Sequence, residues 1–236
     1  MLNIPNIQQA MSVFVAEELS EVLNTKVMIG RINIGLLNRI IIDDVLLDDQ
    51  SGQEMLKVTR LSAKFDIMPF FKGKISISSV QLFGFNINLR KETPDSPPNF
   101  KFVLDAFASK DTVKKENSLD LRINSILIRR GRMSYHVLSE EETPGKFNAK
   151  HIQLQNIIAN ISLKALSKDS LNLGIKRLSL DEKASGFSLK KMSLKLVANN
   201  KQTNIDNFTI ELPETSLKLD TIHLEYDSLK AFDRFT

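Results

Sequence analysis

The sequence predicts a mainly β protein: an elongated, curved, largely antiparallel grooved sheet, open on one side, with an N-terminal amphipathic helix and one short helix near 100–108. Three observations lead there. A short apolar pattern recurs along most of the chain, short turn-rich connections separate its copies, and many intervening positions are Lys, Asn, Ser or Asp. One oily and one wet face is the signature of antiparallel strands.

The unit is clearest at Ile75, Ile77, Val80 and Leu82, two alternating apolar pairs separated by Ser78-Ser79. Each pair has the period of a strand, but the two-residue skip would put the second pair on the opposite face of a regular strand. A bulge or bend at the skip returns both pairs to one face and curves the strand. The spacing recurs at Val27/Ile29/Ile32/Ile34, Ile40/Ile42/Val45/Leu47, Leu56/Val58/Leu61/Ala63 and Leu121/Ile123/Ile126/Ile128. It returns at Ile152/Leu154/Ile157/Ala159, Leu173/Ile175/Leu178/Leu180, Phe187/Leu189/Met192/Leu194 and Leu217/Leu219/Ile222/Leu224, with a partial copy at Ile205/Phe208/Ile210. Repetition of one unit suggests an assembly in which each unit contacts mainly its neighbours.

Taken in order, Pro5 suits a first helical turn. Ile7, Met11, Phe14, Val15, Leu19, Val22 and Leu23 then form one face of a helix, with Gln8, Ser12, Glu17, Glu18 and Glu21 opposite. This helix is suited to covering a sheet edge. Its acidic polar face argues against a role on a membrane surface. Strands follow at about 26–34, 39–47, 56–67 and 74–90, joined through Gly35, Leu37-Asn38, Asp48 to Gly52 and Pro69 to Gly73. Thr93 to Asn99 breaks the pattern. Phe100, Val103, Leu104 and Phe107 then fall at helical spacing, an aromatic face fit to cover apolar sheet surface. After a polar stretch over 111–117, strands are expected at about 118–138, 148–164, 170–182, 186–198, 203–212 and 215–227. Three regions result: 1–25 the helix, 26–110 a first β segment with the short helix, and 111–236 a second β segment of the same sheet.

Chemistry-bearing motifs are absent. His136, His151 and His223 stand far apart in sequence without metal-ligand spacing, so they read as ordinary strand residues and no metal site is expected. Asp43-Asp44 and Asp48-Asp49 lack the alternating oxygen spacing of a calcium loop. There is no phosphate loop, nucleophile elbow or H-E-x-x-H motif. An enzyme is not expected, nor a cofactor. With no cysteine, disulfides and thiol chemistry are excluded. The net charge of +4 is mild and evenly spread, which does not fit nucleic acid. The densest basic spot, Arg129-Arg130-Gly131-Arg132, reads as a solvated strand end. No run of about 18 apolar residues and no signal peptide is present. The chain reads as an excised fragment.

Two readings of the oily face stay open. It is a core packed on itself and the helices, or an open aliphatic trough. Dominance of Ile, Leu and Val with no Trp suits lipid chains, since each buried CH₂ contributes roughly 0.8 kcal/mol without directional partners. Ile29, Ile32, Val58, Leu61, Ile75, Ile77, Val80, Leu82, Leu121, Ile123, Leu173 and Ile175 would line such a trough.

Several segments carry a resemblance. Ile4 to Gln8, Leu23 to Ile34, Ile42 to Gly52, Phe65 to Ile77, Val80 to Phe85 and Pro98 to Phe107 resemble the amino-terminal region of the AsmA/TamB family in its Bacteroidota form. The resemblance covers residues 4–107; beyond them only the repeating strand pattern continues it. It implies a periplasmic protein held to the inner membrane by an anchor outside this chain. It also implies a grooved sheet carrying phospholipid acyl chains between inner and outer membranes. The alternative it implies is a scaffold for outer-membrane protein translocation and assembly, working with a TamA-like outer-membrane barrel and pairing strand edges with client strands.

Overall fold

The computed structural model describes residues 5–35, 38–65, 75–108, 119–120, 124–166 and 170–226; a few side chains within these spans, Ile75 and Ile77 among them, lie outside the description. In order the elements are α1 (Pro5–Leu23), β1 (Val27–Gly35), β2 (Arg39–Asp48), β3 (Glu54–Phe65), β4 (Ile75–Lys91) and α2 (Lys101–Ala108). There follow β5 (Leu119–Asp120), β6 (Ser125–Val137), β7 (His151–Leu166), β8 (Ser170–Glu182), β9 (Ser188–Asn199), β10 (Gln202–Glu211) and β11 (Ser216–Glu225). Ten strands form one path, β1-β2-β3-β4-β6-β7-β8-β9-β10-β11, and the two-residue β5 pairs with β4. β1 and β11 do not pair, so the sheet is open.

The fold is mainly β and mostly antiparallel, as the alternation of oily and wet positions requires. The exception is a seam. β4 runs parallel to β6, with Val80 opposite Ile126 and Lys91 opposite Val137. Parallel neighbours need a crossover of a dozen or more residues, and residues 92–124, which include α2, supply it. The structure is therefore two antiparallel meanders joined side by side. The expected boundary near 110 falls among residues outside the description. The single strand expected over 118–138 is two, β5 and β6, which pair in succession with the same strand, β4.

The repeated skip takes two forms. At Ser78 it is a bulge: Ser79 faces Lys64, but Ile77 faces Phe65. A register shift accompanies the skip in β7 and β10 as well, where Asn156 and Asn207 adopt φ of 54° and 52°. From β1 to β3 the skips lie side by side with the register intact across them, because neighbouring strands bend together, and Phe83-Gly84 of β4 lies in line with them. Along this crease Asp44 and Gly84 take φ of 56° and 64°. Asp and Asn tolerate that left-handed region better than other side chains, and glycine has no penalty. Arg130 continues the crease in β6 at φ 55°, so the basic run lies mid-strand and not at a strand end; its guanidinium sits 5.2 Å from the Phe83 ring centre.

α1 seals the free edge of β1, and it does so with serines. The backbone N–H of Ile32 donates to Ser12 Oγ (2.9 Å) and that of Val27 to Ser20 Oγ (3.0 Å). Edge N–H groups otherwise invite pairing by other chains. Ser12, expected on the polar side of the helix, is 1% exposed, whereas Phe14, expected on the buried face, is 61% exposed. An unpaired edge calls for oxygen acceptors, so polar residues win the contact and Phe14 is left in solvent. Leu19 and Leu23 of α1 join Val27, Leu47 and Met55 in a small core that Phe100, Phe102, Val103 and Ala106 also pack against. Leu104, assigned to that face by spacing, is instead 59% exposed.

Candidate functional site

Strand pairing arranges the aliphatic residues into rungs that cross the sheet. Directly opposed residues share a face. The longest rung is Ile32, Ile42, Leu61, Leu82, Ile128, Ala159, Leu178, Met192, Ile210 and Leu217, one residue from every strand of the path. At about 4.8 Å per strand it extends on the order of 43 Å. Beside it run Ile40, Ala63, Val80, Ile126, Ile161, Ile175 and Leu194. Toward the other side lie Val27, Leu47, Leu56, Ile87, Met133 and Leu154.

These rungs place the expected lining residues as follows. Leu61 and Leu82 are half-buried neighbours, and Val80 is half-buried between Ala63 and Ile126. Leu173 and Ile175 are half-buried and continue the face toward Leu196 and Leu194. Val58 is buried in a cluster with Phe85 and Ile157. Ile29 packs against the core under α1, and Ile32 is 4% exposed beside Ser12, so these two lie at the helix-covered end. Leu121 and Ile123, and the side chains of Ile75 and Ile77, lie outside the described residues.

The face is unevenly covered. Among the described residues, only α1 and α2 form a second layer, and their core involves β1, β2 and β3. Beyond it, rung residues from Leu82 to Ile210 are mostly half-buried by their own neighbours, and Leu217 is 47% exposed. Near the middle, Phe85 lies across Gly131: a Cβ there would stand 2.5 Å from Phe85 Cε1 and 3.0 Å from Ile157 Cβ. Glycine is required at that position so that the ring can reach Ile157.

Two of the four carboxylates that the sequence offered as cation ligands, Asp43 and Asp49, are committed elsewhere. Asp43 pairs with Arg60 at 2.6 Å. Asp49 is 2% exposed and accepts from Ser51 N (2.9 Å), Ser51 Oγ (2.7 Å), Gln53 N (3.1 Å) and Asn99 Nδ2 (3.1 Å), with Arg90 Nη2 at 2.7 Å. Glu182, also buried, accepts from the backbone N–H groups of Gln153, Ala184 and Ser185. Burial alone would raise both carboxyls, but the hydrogen bonds from Ser51, Asn99 and Gln53 and from Ser185, Gln153 and Ala184 together hold them below their ordinary values. A depressed pKa means that the unfolded chain binds more protons in this window, so stability rises with pH. The contribution is present above the ordinary carboxylate range and is lost as pH falls through the folded values. The urea midpoint is therefore expected to stay level from pH 7 to 5 and to drop below about pH 4. The drop should be shallower in Glu182→Gln; a profile identical to the parent's would refute this assignment.

One grouping was hidden in the sequence. His136 and His151 are cross-strand partners at the end of the β6–β7 hairpin, with their Nδ1 atoms 3.0 Å apart. They lie fifteen positions apart, so linear spacing does not show it. The available signal was symmetry: they are equidistant from the Thr143-Pro144 turn, as hairpin partners must be.

No protein-family model matches the chain, and no curated protein matches it.

Proposed function

We propose that this chain carries phospholipid acyl chains along its apolar face, as a non-enzymatic, periplasmic segment of an AsmA/TamB-like bridge tethered to the inner membrane. The observation that supports it best is the ten-residue apolar rung crossing every strand of the open ten-strand path, covered, among the described residues, by helices only at the β1 end. An acyl chain crossing water loses roughly 0.8 kcal/mol per CH₂, whereas an aliphatic path keeps each methylene in contact with apolar atoms from start to finish. The absence of directional groups in the rungs lets a chain slide without breaking bonds. Headgroups would stay in solvent.

The first test is extraction of the washed, detergent-free chain and mass spectrometry of the lipid released. Stoichiometric phospholipid is expected in the parent chain. Val80→Asp and Leu173→Asp each place a carboxylate on a half-buried rung, where an unpaired charge is costly. Each should abolish lipid occupancy while circular dichroism stays unchanged. A folded variant with full lipid content would remove these residues from the path.

A second reading draws on β11. Among the described residues it pairs only with β10, and Leu217, Leu219 and Leu224 are exposed on it. A client strand of an outer-membrane protein, delivered with a TamA-like barrel, would add there and not at β1, whose edge α1 occupies. Retention of client strands by a lipid-free chain would favour this scaffold role. Lys218, Asp220 and Glu225 alternate along β11 and blunt that edge, which is why the conduit is preferred.

A further inference from the structure

The geometry points to a binding site for one divalent transition-metal ion, best matched to zinc(II), formed by His136 Nδ1, His151 Nδ1 and the Glu142 carboxylate. It is independent of the lipid face. One ligand atom from each of the three residues lies within 4.8 Å of the other two. His151 is buried, and its Nε2 stands 2.9 Å from the Glu140 carbonyl oxygen. A carbonyl only accepts, so Nε2 carries the proton and Nδ1 presents its lone pair. A ring N–H held by a carbonyl is the arrangement that orients metal-bound histidines.

The lone pair meets His136 Nδ1 at 3.0 Å, and the ring planes are tilted by 52°, so the rings meet through their nitrogens and do not stack. Two nitrogens on one tetrahedral zinc, each at about 2.0–2.1 Å, stand about 3.3 Å apart. The nitrogens thus need to part by only a few tenths of an ångström, with both rings turning so that their lone pairs converge on the ion. Glu142 Oε1 is 3.8 Å from His136 Nδ1, on a side chain 62% exposed and free to swing inward. The group opens into a pocket of about 250 Å³ bordered by Pro144, Gly145, Asn148 and Lys183, which leaves room for a water as fourth ligand.

Two imidazoles and one carboxylate select a transition metal over calcium or magnesium, which take oxygen. Without the ion, His136 Nδ1–H donates to His151 Nδ1. The ion replaces that shared proton, and His136 takes up a proton at Nε2 in exchange. Its mechanical effect would be to clamp the 138–150 loop to the ends of β6 and β7.

The test is calorimetric titration of the whole 236-residue chain with zinc chloride after chelator treatment, with cobalt(II) absorption as a second readout. One equivalent should bind, with the visible bands of a tetrahedral site, and raise the thermal midpoint in a way that chelator reverses. Glu142→Gln, an exposed change that leaves folding intact, should weaken affinity by about tenfold or more, since even outer-shell losses cost that much. His136→Gln should abolish uptake. His223, 3.0 Å from Glu225 on β11, is the control, and His223→Gln should change nothing. No saturable uptake, uptake unchanged in the Glu142 and His136 variants, or uptake lost only in His223→Gln would each overturn the site.

Discussion

Asp49→Ala is expected to lower the free energy of unfolding by about 3–5 kcal/mol, because it strands a charged partner and several donors at once. Asp49 Oδ1 gathers the backbone N–H groups of Ser51 and Gln53 and the Ser51 hydroxyl, while Oδ2 takes Asn99 and Arg90. One carboxylate therefore holds the β2–β3 turn, the end of β4 and the segment leading into α2. Arg90 also donates to Ser51 Oγ, so the network is closed on itself. Asp49→Asn keeps the shape and removes the charge, and should lose less. Urea unfolding at neutral pH measures both. A loss under about 1 kcal/mol in the alanine variant would mean that water replaces these bonds at little cost.

Gly131→Ala should cost about 3 kcal/mol, the upper end for one added methyl in a packed site. The new methyl would overlap the Phe85 ring, itself 7% exposed between Val58 and Ile157. Phe85→Leu in the same chain removes the obstruction, so the double variant should be more stable than the sum of the two single losses predicts. Coupled neighbours deviate from additivity by about 0.5–3 kcal/mol. Additive losses would show that the ring is not what the methyl meets.

Much of the fold was legible because its signal is local. The skip between Ile77 and Val80 is visible in four residues, and so is the antiparallel meander, since turn residues such as Asp48 to Gly52 join strands directly. α2 was legible from Phe100 and Val103. What escaped depends on pairing across distance. The parallel seam requires knowing that Val80 meets Ile126 across the whole crossover. The β1 edge decides that Ser12 and Ser20 face inward, a preference for acceptors that a hydrophobicity pattern cannot express. Asp49 looked like half of an acidic pair, yet its partners come from residues up to 50 positions away. His136 and His151 meet only through hairpin register.

The seam also sets an order of events during folding. Within each meander every strand finds its partner next to it in the chain, so contacts grow by adding one hairpin at a time, with little loop entropy lost per step. The β4–β6 pairing is different: it closes the long 92–124 connection before any ladder bond forms across it, and non-local pairing of that kind is slow. β6 to β11 should therefore acquire protection from hydrogen exchange as one unit, and β4 should be protected along its β6 side later. Simultaneous protection on both sides of β4 in a pulse-labelling experiment would contradict this order. On this order the two halves would nucleate separately, and the last register to be set would be the one on which the continuity of the apolar face depends.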